Sequence, residues 1–160
     1  MADKQPKGVR MFDPAFDYGQ LPSLTGFLFR KASLRTFAIF GDAVGDRAIT
    51  PLRYSLLEVV GANPGLQQVQ LAGILGLSKP AATLAIDFWQ TRGCLSRRPD
   101  ARDRRSRGIY LTETGRARLD ELRIIIARQD EQLTEMLSKD ELALLKTLMQ
   151  RIIEGSTLEP

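Results

Sequence analysis

A chain of 160 residues, 43% of them apolar, is long enough for one domain with a real core and too apolar for wholesale disorder. The net charge of +4 is unevenly placed: residues 92–107 hold seven arginines against two aspartates, a local +5 that leaves −1 for the remainder, which fits one polyanion contact rather than a generally adhesive surface. With one cysteine an intramolecular disulfide is excluded, and with no histidine beside it a protein zinc site is not expected; neither metal nor cofactor is expected.

The first stretch, with Pro6, Gly8 and Pro14, reads as an N-terminal arm over residues 1–20. It lacks the apolar centre of a signal peptide, and no later run approaches the roughly 18 apolar residues that span a bilayer. A cytoplasmic chain without a membrane partner is expected. Ser23 is placed to cap a helix from Leu24, in which Leu24, Phe27, Leu28, Leu34, Phe37 and Ala38 recur at helical spacing. Arg30, Lys31 and Arg35 lie among them. Thr50-Pro51 starts a second helix, with Thr as cap and Pro in the first turn. Leu52, Leu56, Leu57 and Val60 give it an apolar face, and Asn63-Pro64-Gly65 stops it.

Residues 67–112 organise the chain. A short helix is expected to carry Val69, Leu71, Ala72 and Leu75 on or near its buried side, with Gly76 closing it in the left-handed conformation. Ser78 is placed to cap the next helix, which has Pro80 in its first turn and ends at Gly93. Two helices joined by a short glycine-containing turn are a helix-turn-helix. Strand candidates follow at residues 94–98 and 107–111, and the arginine-rich loop lies between them. Ala82, Ala85, Ile86 and Trp89 are read as core, and Cys94 as a small buried strand residue.

Beyond the hairpin, Leu119, Leu122, Ile125, Ile126, Leu133 and Met136 mark the buried side of a long helix. Ser138-Lys139-Asp140-Glu141 is a capping box opening a last helix with Leu142, Leu145, Leu148, Met149, Ile152 and Ile153. A mainly α fold with a small β-hairpin wing follows: a winged helix-turn-helix over residues 47–112, flanked by helices in 21–46 and 113–156. The flanking apolar faces have no obvious partner within the chain. They are read as dimerisation helices.

At Thr50-Pro51, Leu71-Ala72, Leu75-Gly76, Asp103-Arg104-Arg105 and Leu111-Thr112-Glu113-Thr114-Gly115 the chain resembles the MarR family of winged helix-turn-helix regulators. The wing carries the most specific part, similar to the family's D-x-R and L-T-x-x-G pattern. The resemblance implies a homodimer, recognition helices in the major groove of a pseudo-palindromic double-stranded DNA, wing tips in the minor groove, and a small-molecule effector. The effectors it implies are aromatic acids, phenols or acyl-CoA thioesters. It implies a repressor more often than an activator.

By that resemblance Arg105 enters the minor groove, where a fixed, weakly hydrated charge suits a narrow groove. Asp103 braces the loop through Arg105 or Arg107, while Arg102, Arg104 and Ser106 reach phosphates or the groove edge. On the recognition helix Ser78, Lys79, Pro80, Ala81 and Thr83 lie where such a helix enters the groove. Lys79 suits a phosphate, Ala81 a thymine methyl, and Thr83 a base edge or phosphate. Gln68, at the start of the preceding helix, faces the DNA backbone. Pro80, Ala81 and Leu84 stand where many members carry hydroxyl or basic residues, so hydrogen-bonded readout is thin. Phe27, Arg30, Lys31, Leu34, Tyr54 and Leu57 are the candidates for an effector pocket.

Two alternatives stay open: a non-specific architectural DNA binder, and a redox-responsive regulator acting through Cys94. An enzyme is not expected, because no nucleophile sits beside a base and no glycine-rich phosphate loop is present. Replacing Arg105 with Ala is expected to weaken duplex binding on the order of tenfold while leaving the oligomeric state unchanged. Fluorescence anisotropy and sedimentation check the two halves of that expectation.

Overall fold

The computed structural model describes residues 12–99 and 107–155. A 3-10 turn, Leu21–Ser23, leads into α1 (Thr25–Val44), followed by α2 (Pro51–Ala62), β1 (Leu66–Gln67), α3 (Gln68–Ile74) and α4 (Lys79–Thr91). Next come β2 (Leu95–Pro99), β3 (Arg107–Leu111), α5 (Glu113–Leu133) and α6 (Lys139–Glu154). The three strands form one antiparallel sheet in the order β1-β3-β2. Leu95 pairs with Leu111 and Pro99 with Arg107 across the hairpin, and Leu66 pairs with Ile109 on the other edge.

Local chemistry sets the helix starts. Thr50 accepts a hydrogen bond from the Arg53 N–H, Ser138 and Glu141 form the reciprocal capping box, and Gly76 takes φ +62 after α3. Ser23 does not cap α1 as the spacing predicts. Its hydroxyl donates to the Gln20 carbonyl at 2.8 Å, closing the 3-10 turn, and the helix begins two residues later. Val69 is also misplaced by the sequence reading: it is exposed. Leu71, Ala72 and Leu75 share one face of α3, and a residue two positions before Leu71 points away from it. Met136 is exposed too, because α5 ends at Leu133 and the helical phase stops there. The two-residue strand β1 has no counterpart in the sequence reading, since two residues establish no alternation.

The core gathers Leu56, Leu57 and Val60 from α2, Leu71 from α3, Ile86 and Trp89 from α4, Ile109 from β3, and Leu119 and Leu122 from α5. Trp89 is fully buried, and its indole N–H donates to the Arg53 carbonyl at 2.8 Å, so it is packing as expected. Next to it, the guanidinium carbons of Arg53 and Arg92 each lie 3.7 Å from the centre of the Phe88 ring. Two planar groups cannot both stack on one face at that distance, so the ring is sandwiched, fastening the end of α4 to α2.

The hairpin is locked to α5 at one junction. Thr112 caps α5 by accepting from the Gly115 N–H at 3.0 Å. Its own N–H donates to the Cys94 carbonyl at 3.0 Å, and its hydroxyl donates to the Gly93 carbonyl at 2.6 Å. A Cβ on Gly115 would lie 2.0 Å from the Cys94 carbonyl oxygen. The L-T-x-x-G pattern is therefore a packing requirement: threonine closes the hairpin and starts the helix, and only glycine permits the approach. Gly115→Ala is expected to cost about 3 kcal/mol or more, because the clash is with backbone rather than a movable side chain. Urea unfolding followed by circular dichroism measures it.

Candidate nucleic-acid interface

Helix α4 buries Ala82, Ala85, Ile86 and Trp89 along one face. That stripe turns Pro80, Leu84 and Asp87 outward, with Ala81 half-buried beside them. Ser78 spends its hydroxyl on the cap, accepting from the Ala81 N–H at 3.4 Å. Lys79 and Pro80 are exposed, and Lys79 forms no ion pair among the described residues.

The polar side chains expected to face DNA are largely engaged inside the chain. The Thr83 hydroxyl donates to the Lys79 carbonyl at 3.0 Å and accepts from the Gln68 amide at 2.7 Å. The Gln68 carbonyl oxygen accepts from Arg97 at 3.4 Å, and Arg97 also reaches the Asp87 carboxylate at 3.2 Å. Thr83, Gln68, Arg97 and Asp87 thus tie α3, α4 and β2 into one unit. The sequence reading assigned Gln68 to the DNA backbone and missed Asp87 and Arg97 altogether. Their charges lie ten residues apart across a helix end and a turn, and no local periodicity brings them together.

The hairpin carries positive charge at its upper end. Arg98 lies over the Tyr110 ring at 5.3 Å, and Arg107 is exposed at the start of β3 opposite Pro99. Arg102, Asp103, Arg104, Arg105 and Ser106 lie outside the described residues. The two strands that flank them are in register to the last pair on either side, which fixes where the loop leaves the sheet.

Cys94 sits at the base of the hairpin, 3% exposed. Burial pushes its thiol above the usual range, against the smaller opposing pull of Arg118 and Arg92. A redox sensor needs an accessible thiolate. A thiol this buried lacks the accessibility that the redox-responsive alternative needs.

The six effector-pocket candidates lie on α1 and α2: Leu57 is fully buried in the core. Tyr54 packs near Phe40, with ring centres 6.4 Å apart. Its hydroxyl is raised by burial first and by the Glu58 carboxylate next, with Arg123 pulling the other way. Phe27 and Lys31 belong to a separate cluster, where the Lys31 ammonium lies 5.3 to 5.5 Å from the rings of Phe12, Tyr18 and Phe27. Arg30 and Leu34 are exposed on α1. An open hollow of about 490 Å³ lies elsewhere, between α1 and α6, and its walls include Phe29, Phe37, Pro51 and Met149. The sequence reading missed it because its residues come from two faces far apart in the chain.

The MarR family pattern matches residues 49–106, from the cap of α2 into the loop after β2. The transcriptional repressor CouR bound to a 23-mer DNA duplex superimposes with a TM-score of 0.80 at 33% identity, covering 86% of this chain and 98% of that one. The chain belongs to the MarR family of transcriptional regulators. A second CouR structure, bound to p-coumaroyl-CoA, matches with a TM-score of 0.78 at 30% identity over 86% of this chain and 97% of that chain. A Thauera aromatica protein described as a transcriptional regulator for the hcr operon is 25% identical over 144 residues, spanning 89% of this chain and 87% of its own length. The winged helix-turn-helix reading of the sequence is borne out, with α4 as the second helix of the motif.

Native protein is expected to react with iodoacetamide at Cys94 on the order of a hundredfold more slowly than urea-unfolded protein, since the thiol is reached only through opening of the hairpin base. Mass spectrometry of timed samples follows the difference.

Proposed function

We propose that this MarR regulator is a homodimeric repressor that occupies a pseudo-palindromic duplex and is released by a small acidic ligand. The observation that carries the dimer is α6. It buries none of its residues, although Leu144, Leu145, Leu148, Met149 and Ile153 are all apolar. Leu24, Leu28, Phe29, Leu34 and Phe37 of α1 are likewise exposed. Apolar surface of this extent is covered in solution, and a second copy offers the same surface in return. Residues 21–46 and 113–156 would then join the copies, leaving the lobe of residues 47–112 for DNA.

In that dimer Lys79 contacts phosphate, the first turns of α4 enter the major groove, and Arg102, Arg104, Arg105, Ser106 and Arg107 follow the backbone into the minor groove. Asp103 braces their loop. Two-fold symmetry sets half-sites about one helical turn apart. The complex of CouR with p-coumaroyl-CoA supports an aromatic acyl thioester or a related acid as effector. Arg30 and Arg35 of α1 pair with no carboxylate among the described residues, so they are available to such an anion. A ligand that favours the wrong spacing of the two recognition helices weakens DNA binding by its affinity difference between the two states.

One observation favours the architectural alternative: Thr83, the polar side chain placed for a base edge, is bonded within the chain to Lys79 and Gln68. Specific and random duplexes would then bind alike.

Leu145→Glu combined with Ile152→Glu is expected to give monomers whose duplex binding is about a hundredfold weaker, since each lobe then binds alone. Analytical ultracentrifugation and anisotropy report the two effects. A double variant that still sediments as a dimer would put the interface elsewhere.

A further inference from the structure

The outward face of α4 is apolar where a reading helix ordinarily carries donors. Pro80 and Leu84 are four residues apart and Ala81 and Leu84 three, so the three share a face. Leu84 is 70% exposed. It lies five residues into the helix, about 7.5 Å along the axis from Lys79, within the first turn and a half that enters a groove. The polar neighbours are engaged: Ser78 by the cap, Thr83 by Lys79 and Gln68, and Asp87 by Arg97 at 3.2 Å. Pairing Asp87 also relieves the repulsion that a free carboxylate would meet beside phosphates.

The core stripe of α4 is Ala82, Ala85, Ile86 and Trp89, and Leu84 stands outside it, mostly exposed. What the surface does match is the one apolar group that B-DNA displays in its major groove, the C5-methyl of thymine. The same reading deepens the role of Ala81, which is small enough to let the helix approach the bases closely.

The geometry points to Leu84 as a specificity-determining residue that reads thymine methyl groups in the major groove, with Ala81 and Pro80 forming the rest of the contact surface. This rests on the regulator function proposed above. The chain then selects half-sites by the position of thymines rather than by purine hydrogen-bond patterns. Glutamine or arginine readout of adenine or guanine contributes little on this helix.

Uracil differs from thymine only by that methyl group, so it tests the inference without altering base pairing. The full-length protein is used to select from a random thymine-containing duplex pool, and the strongest recovered duplex is resynthesised with deoxyuridine at one thymine at a time. One half-site thymine and its symmetry mate are expected each to lose about fourfold in affinity when replaced, the value of one buried methyl group. Leu84→Ala is expected to bind more weakly and to be indifferent to uracil at those positions, while Leu84→Met retains the discrimination. A preferred duplex that wild-type protein binds equally well with uracil at every position overturns the inference and leaves the regulator reading standing. An undiminished uracil penalty in Leu84→Ala also overturns it, assigning the methyl contact to another residue. Recovery of no preferred sequence from the thymine pool overturns the regulator reading, and this inference with it.

Discussion

The carbonyl oxygens of Gly93 and Cys94 are the point on which the rest of the structure depends. Each is a backbone acceptor near the base of the hairpin, and the one at buried Cys94 lies where a backbone polar group must be paired. Thr112 pairs both, one through its N–H and one through its hydroxyl, and the same hydroxyl oxygen caps α5. Gly115 lets the first turn of α5 lie against the Cys94 carbonyl, where any side chain would collide. The hairpin, the end of α4 and the start of α5 are therefore joined by one threonine and one glycine.

A second constraint acts at the helix-turn-helix. Gln68, Thr83, Arg97 and Asp87 hold α3, α4 and β2 together, and Thr83 is the one of them placed for hydrogen-bonded readout. These contacts are largely exposed, so each adds little stability by itself. Together they join α3, α4 and β2. The outward side of this lobe carries charge on Lys79 and Arg107 and apolar groups at Pro80 and Leu84.

Much of this was legible in the sequence. The caps at Thr50, Ser78 and Ser138, the terminators Gly76 and Gly93, and the core stripe through Ala82, Ala85, Ile86 and Trp89 are local signals, and the structure follows them. The reasons behind the failures are equally specific. Ser23 lost its capping role to a competing 3-10 turn, and Val69 was assigned inward although it sits two residues from the buried face. The strand β1 was too short to show a period. The link from Arg97 to Asp87 and Gln68 joins elements distant in sequence, and it becomes visible only when the lobe is assembled. For the effector candidates the sequence carries less: Leu57 and Tyr54 share a helix with core residues, and helical spacing does not distinguish the wall of a cavity from the interior of a core.

In the proposed complex two copies of this lobe read a duplex as a symmetric pair. Sequencing the duplexes that purified protein retains from a fully random pool, at moderate salt, tests it most directly. The account predicts recovery of an inverted repeat whose half-sites are centred about one helical turn apart. Retained sequences indistinguishable from the input pool, with binding that still falls steeply as salt rises, would contradict it and identify a protein held to DNA by phosphate charge alone.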